Sequence, residues 1–290
     1  MQERVTLVRL ETERNPWLSG DFASKPFLAR DAQDGRWVVK PLWQRREAKS
    51  LFNEWVCGRL CNLMGVPWPE VALTTVPLTL EHPLTPGRPV ADAHAVALRW
   101  IPDLLDVDAY VERHIDPERP AVYELQESWL ERGIARLVAS RPDNFDAMGG
   151  LAVAGNWLQA ADQQWSVLQV DATGKLWWMD SSCHLGGWGW HLFHSDDPFE
   201  MFNDRHFRTG EEFWGTCDPR GRTSMVHNLV HLDLLEPWLQ RIEALDAGLW
   251  QTLMAAMPAH WVEPAYMGTI TRHVWEGRLD FTQRYRKLLT

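Results

Sequence analysis

The chain has 290 residues and a formal net charge of -10, enough material for one large domain or two lobes around a substantial core. The acidic balance argues against a broad phosphate-tracking surface, so nucleic acid is not an expected partner, although local basic spots such as Arg45-Arg46 stay open. No apolar run is long enough to span a bilayer, and the polar start Met1-Gln2-Glu3-Arg4 does not read as a signal peptide. The expectation is a cytoplasmic chain without a membrane partner.

Residues 5–10 alternate as a strand does, and 15–25 form a turn-rich loop with Gly20 and Ser24. Residues 26–30 and 36–40 read as two strands joined by a hairpin over 31–35. A lysine, Lys40, ends the second strand, where a charge is costly unless an anion meets it. A helix pattern follows through Leu51, Phe52, Trp55, Val56, Leu60 and Leu63, and places Glu54 where it could face that lysine. The plainer alternative is an exposed edge-strand lysine and a surface glutamate. Gly65 suits the left-handed cap of this helix, and Pro67 and Pro69 prevent its continuation. Residues 71–76 and 95–100 read as further strands, separated by a proline-rich excursion at 83–89. Cys57 and Cys61, one helical turn apart, suit buried reduced thiols better than a disulfide. Most of the eighteen tryptophans recur at core spacing and are read as packing residues rather than sugar-stacking platforms.

Beyond Pro102 the pattern turns helical. Residues 123–139 are amphipathic and 145–161 nearly all small or apolar on one side. Residues 166–170 and 175–179 read as short strands around a hairpin at 171–174, followed directly by Asp180. One or two helices, broken near Pro237, are expected over 229–257, and a last helix over 271–289; 186–221 is loop-rich. A sheet lobe at 1–100 followed by a helical lobe at 101–290 with one embedded hairpin is the expected order of an α+β, bilobal, protein-kinase-like fold.

Three stretches resemble the HipA-like kinases, in the phosphatidylinositol-kinase-like branch of the protein-kinase superfamily. The first joins Asp34-Gly-Arg-Trp-Val-Val-Lys40, Asn53-Glu54 and Leu63-Met-Gly-Val-Pro-Trp-Pro69. The second runs from Asp162 to Lys175-Leu-Trp-Trp-Met-Asp180. The third joins Ala256-Met-Pro-Ala-His-Trp261 and Val274-Trp-Glu-Gly-Arg-Leu279. The resemblance implies an ATP- and magnesium-dependent kinase acting on a serine or threonine hydroxyl, with a protein as acceptor. It gives Lys40 to the phosphates of ATP, with Ser24 beside them, and Glu54 to the positioning of Lys40. Arg99, Trp100 and Ile101 become the hinge whose backbone meets adenine. Asp162 becomes the catalytic aspartate that handles the acceptor hydroxyl, and Asp180 the magnesium ligand. Such a division of labour suits phosphoryl transfer, which needs positioning and charge neutralisation more than covalent chemistry.

The catalytic loop departs from the family pattern. Ala160 stands where an asparagine is usual, Gln163 where an arginine is, and Ser166 or Val167 where a second metal-binding asparagine is. A serine hydroxyl is a weaker magnesium ligand than an amide carbonyl. These losses give the alternative function: a pseudokinase, a nucleotide-binding or protein-interaction module without efficient phosphotransfer. Two competing constellations lie further on. Asn203-Asp-Arg-His206 has the letters of a catalytic tetrad but no hairpin ending in aspartate after it. His227 and His231 have zinc-like spacing, with His191, His194, Cys183 and His184 as further donors, but Asn228 fills the place of a general-base glutamate.

Overall fold

In the computed structural model, which describes residues 4–11, 25–44, 48–81, 87–114, 144–158, 168–179, 185 and 232–289, the chain opens as an antiparallel sheet. Its strands are β1 (Leu7–Glu11), β2 (Phe27–Asp31), β3 (Arg36–Pro41), β4 (Val71–Thr75) and β5 (His94–Arg99), in the order β1-β2-β3-β5-β4. The two faces of the sheet serve different cores, because successive side chains point to opposite sides. Trp37, Val39, Ala72, Ala95 and Ala97 join Val5 and Trp43 on one face. Leu73, Val96 and Leu98 face the other way, into the main core.

Helix α1 (Ala48–Met64) fills the space on that second face. It is buried without interruption from Leu51 to Cys61, so it behaves as a central core helix rather than a surface helix with one apolar stripe. Its neighbours are β4 and β5 on one side and elements of the C-terminal region on the other. Cys57 and Cys61 are free and buried, and burial pushes both thiols well above their usual range. The helix ends in a Schellman motif: Val66 N–H donates to Cys61 O at 2.9 Å and Gly65 N–H to Asn62 O at 3.1 Å, with Gly65 at φ 75°. Glycine is favoured there because a Cβ is strained in the left-handed region.

A second, three-stranded sheet follows, formed by β6 (Leu105–Asp106), β7 (Leu168–Val170) and β8 (Leu176–Trp178). The β7–β8 hairpin matches the expected one, while β6 adds a strand too short to stand out in the sequence. Among the described residues the further helices are α2 (Val107–His114), α3 (Ala147–Trp157), α4 (Leu232–Glu243), α5 (Leu249–Ala256), α6 (Pro264–Ile270) and α7 (Arg278–Leu289). A short 3-10 helix occupies Ala259–Trp261 and a π-helical turn Thr271–Glu276. Helix α3 meets α4 at a pair of glycines: a Cβ on Gly149 would lie 2.2 Å from Leu234 O, and one on Gly150 2.7 Å from the Trp238 ring. This close approach is what the small-residue side of the predicted 145–161 helix is for.

Two expectations need correction. The chain does not break at Pro237, which lies inside α4. The proline removes one backbone donor, but buried Leu235, Trp238, Leu239 and Ile242 hold the helix across it. The break comes after Glu243, where Asp246 Oδ1 accepts Gly248 N–H at 2.8 Å and Asp246 O accepts Leu249 N–H at 3.1 Å ahead of α5. The last helix, too, is not a single α-helix from 271: its first six residues are the π turn, and α7 starts only after Gly277. Among the described residues no helix is long and apolar enough to cross a membrane. Most described tryptophans are packing residues as expected, with Trp37, Trp55 and Trp261 among the most buried side chains.

Candidate active site around Lys40

The β2–β3 hairpin that leads to Lys40 is built on one carboxylate. Asp31 Oδ1 accepts the backbone N–H of Gln33 at 2.9 Å and of Gly35 at 2.7 Å. Its Oδ2 accepts the Trp37 indole N–H at 2.7 Å and a guanidinium N–H of Arg99 at 3.3 Å. Burial alone would raise the Asp31 pKa, but the bonds from Trp37, Gly35 and Gln33 and the Arg99 charge outweigh it and hold the group below its usual range. The turn therefore has fixed geometry, and β3 leaves it in register with both β2 and β5.

Lys40 sits opposite Val96 on the sheet face that α1 covers. Its Nζ lies 3.0 Å from Glu54 Oε2, with the lysine side chain 12% exposed and that of Glu54 0%. Desolvating either charge costs several kcal/mol, roughly, so at this depth each requires the other. The expected strand-lysine and helix-glutamate contact is thus present, and the surface alternative does not hold for this pair.

The turn after α1 fixes the depth of Glu54. Asn62 Nδ2 donates to Trp68 O at 3.0 Å and Pro69 O at 3.1 Å, and its Oδ1 accepts Val71 N–H at 3.1 Å. Arg241 from α4 donates to Met64 O at 2.7 Å, a cation placed at the negative end of the helix. Trp178 N–H of β8 donates to Pro67 O at 2.7 Å. One five-residue turn thereby ties α1, β8 and α4 together.

The β7–β8 hairpin repeats the device of the first. Asp171 Oδ1 accepts Thr173 N–H at 2.8 Å and Lys175 N–H at 3.1 Å, and Oδ2 accepts the Trp177 indole N–H at 2.7 Å. Burial raises the Asp171 pKa, and hydrogen bonds led by Thr173 and Trp177 more than reverse it. Lys40 and Asp180 follow their respective clasp aspartates at the same sequence distance. Asn144 also braces β8, donating to Leu176 O at 3.0 Å and accepting its N–H at 2.7 Å, as a neighbouring strand would.

The remaining sequence candidates divide. Asp162, Ser166, Asp180 and Ser24 lie outside the described residues, as do Ala160, Gln163, the 203–206 tetrad and the histidines at 191, 194, 227 and 231. The segment from Arg99 to Ile101 leaves β5 as expected of a connection between sheet and helical region. Arg99 N–H is used by Glu70 O at 2.8 Å and Trp100 N–H by Arg36 O at 2.9 Å. The Arg99 side chain turns back onto Asp31 and over the Trp37 ring at 5.1 Å.

A cavity of about 520 Å³ opens where the α1 C-terminal turn, Ile101 and β8 meet, lined among others by Trp68, Arg99, Lys175, Trp177 and Arg241. Neither Lys40 nor Glu54 lines it. Sequence reading missed Asn62, Asn144 and both clasp aspartates, although the repeated Asp-x5-Trp spacing was visible. It also missed a cluster of Asp92, His94 and His260. Asp92-Ala-His94 is short, and nothing in the sequence points from there to His260.

A family model described as HipA-like kinase matches residues 19–118, a span that runs from before β2 through α2. No curated protein matches the sequence. Among solved structures, a Helicobacter pylori proinflammatory kinase, CtkA, matches with a TM-score of 0.63 over 100% of this chain and 99% of that one, at 13% sequence identity. At that identity the likeness is one of fold. The antiparallel sheet with its buried helix, followed by a helical region, is therefore a kinase fold, and the HipA-like resemblance is borne out over the first of the three sequence stretches, Asp34 to Pro69, which lies within residues 19–118; the second and third stretches lie outside that span.

Proposed function

We propose that the chain is an ATP- and magnesium-dependent kinase of the HipA-like kind, transferring phosphate to a serine or threonine hydroxyl of a protein. The observation that carries this reading is the buried Lys40–Glu54 pair between β3 and α1. A lysine held there by a helix glutamate is the positioning device that phosphoryl transfer requires. Residues 1–100 act as the nucleotide-facing lobe and 101–290 as the helical lobe. With Arg99 and Trp100 N–H groups already used within the fold, the backbone N–H contact to adenine falls to Ile101.

Asp180 follows β8 by way of Met179, and its carboxylate with the Ser166 hydroxyl offers the hard oxygen donors that suit magnesium. Bound there, magnesium supplies charge neutralisation at the phosphates. Asp162 orients the acceptor hydroxyl and takes its proton. Lys40 holds the nucleotide phosphates, with Ser24 beside them, and Glu54 keeps Lys40 in place.

The degenerate loop supports a second reading, a pseudokinase that binds nucleotide without efficient transfer, because Ala160, Gln163 and Ser166 replace three groups that position metal and acceptor. Calorimetry of ATP binding with and without magnesium, on the unmodified chain and on Asp180→Asn and Lys40→Met, tests the nucleotide site. Magnesium-dependent affinity that falls at least tenfold in Asp180→Asn supports the metal role. ATP affinity unchanged in both variants would overturn the assignment of the site. Phosphate transfer to a protein acceptor, followed by intact mass, then separates kinase from pseudokinase.

A further inference from the structure

Three side chains that the kinase reading does not use converge at the junction between the first sheet and the C-terminal region. Asp92 and His94 enter from the start of β5, and His260 from the 3-10 helix at Ala259–Trp261. His94 Nδ1 lies 2.9 Å from Asp92 Oδ1, and His260 Nε2 contacts Asp92 Oδ2. The three ligand atoms all lie within 4.8 Å of one another. We propose that Asp92, His94 and His260 form a zinc site that ties the β4–β5 connection to the C-terminal 3-10 helix.

The donor set and its surroundings carry this. Two imidazoles and one carboxylate are three ligands of the type zinc takes, leaving a fourth position for water. Around a tetrahedral ion with bonds of about 2.0–2.1 Å, ligand atoms stand roughly 3.4 Å apart, and the three here already lie within 4.8 Å of one another. Each imidazole would bind through the nitrogen that faces Asp92. The carboxylate is already oriented: Oδ1 accepts His94 N–H at 3.1 Å, and Oδ2 accepts the indole N–H of buried Trp261 at 3.4 Å. Such outer hydrogen bonds aim a ligating carboxylate while leaving a lone pair on each oxygen.

The platform is pre-built. Ala91 N–H donates to Leu42 O and Val76 N–H to Ala93 O, both at 2.7 Å, which pins the backbone on either side of Asp92. On the other element, Trp261 is 1% exposed and its N–H donates to Pro258 O at 3.1 Å, which fixes His260. His94 and His260 are 37% and 57% exposed, so an ion can enter from solvent. His94 stands two residues from Val96, on the same sheet face as Lys40 and α1. Zinc here closes a loop between elements 168 residues apart and braces the segment that backs α1. It is separate from the magnesium of phosphotransfer, which calls for oxygen donors.

The test uses the full chain after exhaustive chelation. Added zinc should bind at one equivalent by elemental analysis, raise Tm, and be replaced by cobalt(II) with visible d–d absorption of a tetrahedral N/O site. His260→Gln and His94→Gln keep hydrogen-bonding groups and the fold, yet should each weaken zinc binding at least tenfold and abolish the cobalt spectrum. Asp180→Asn and a His227→Ala/His231→Ala double variant should retain both. Absence of zinc binding by the unmodified chain, or affinity unchanged within twofold in His260→Gln and His94→Gln, overturns the proposal. So does loss of binding in the His227/His231 variant alone.

Discussion

Glu54 has no exposed side-chain surface, and its Oε2 lies 3.0 Å from Lys40 Nζ. The depth of this pair follows from α1 being packed on both sides, by the sheet and by the C-terminal helices. Leu51 to Cys61 form an unbroken buried run. Breaking the pair from one side leaves an uncompensated buried charge. We expect Lys40→Met to cost about 3–5 kcal/mol of stability and Lys40→Met/Glu54→Gln to recover much of it. Urea unfolding of Lys40→Met, Glu54→Gln and the double variant measures this; a purely additive cycle would show that the two charges do not interact.

The hairpin clasps make stability depend on acid. Asp31 and Asp171 are both held below their usual range in the folded chain. A carboxylate depressed by folding contributes stability that is present above its unfolded pKa, about 3.9, and lost as pH falls through the folded value. Tm should therefore be flat near neutrality and fall below about pH 4. Asp31→Asn keeps the acceptor oxygen toward the backbone but removes the charge, so its Tm should start lower and decline less steeply. Calorimetric scans from pH 7 to pH 3 check this, and parallel curves for both proteins would exclude Asp31 as a source of the acid loss.

Those clasps also show what was legible beforehand. The turns at 31–35 and 171–174 stood out because glycine and aspartate mark hairpins locally. The role of each aspartate in gathering an indole N–H as well was not, since it depends on where the tryptophan folds back. Strand and helix periods placed Glu54 where it could face Lys40, because the short connection between them restricts where the helix can lie, but it took the family resemblance to choose the pair over an exposed lysine and a surface glutamate. Asp92 and His260 could not, because their meeting depends on the whole chain between them. Pro237 misled for a related reason: local propensity favours a break, and the burial of Trp238 and Leu239 that overrides it is a tertiary effect.

The α3–α4 contact offers a packing test independent of any chemistry. A methyl at Gly150 would meet the Trp238 ring at 2.7 Å, closer than any Cβ contact that leaves the ring in place. Gly150→Ala should gain helix propensity worth up to about 1 kcal/mol and lose more to overpacking, roughly 1–3 kcal/mol. A net loss of stability in urea is expected, with Trp238→Phe in the same chain relieving part of it. A stabilised Gly150→Ala would mean that the two helices part readily.

Arg286 joins two carboxylates of α4 to α7. It donates to both oxygens of Glu236, at 2.8 and 2.7 Å, and to Glu243 at 2.6 Å. Hydrogen bonds from Arg286 are the largest influence on both glutamates and hold them below their usual range, so this bridge too is lost only in acid. The groups are about one-third exposed, which reduces the gain through screening. Arg286→Met should lower stability by about 1 kcal/mol at low salt and by less at 1 M salt. An effect independent of salt would assign the loss to packing of the arginine stem.

The degenerate loop gives the sharpest functional expectation. Under the proposed alignment Ser166 takes the place of the second metal-binding asparagine, so one magnesium is held firmly by Asp180 and the other weakly. The second ion neutralises negative charge that develops between the β- and γ-phosphates. Weakening that neutralisation by a few kcal/mol slows transfer by roughly two to three decades, at about 1.36 kcal/mol per decade. Ser166→Asn should then raise autophosphorylation, read as intact mass after incubation with magnesium and ATP. Rapid transfer by the unmodified chain would mean that another group supplies the ligand and that the alignment of Ser166 is wrong. ATP binding with no transfer in either form would place the limit at Ala160 and Gln163 and favour the pseudokinase. Gain of transfer on restoring the amide would identify a weakened kinase whose missing group is the one the loop has lost.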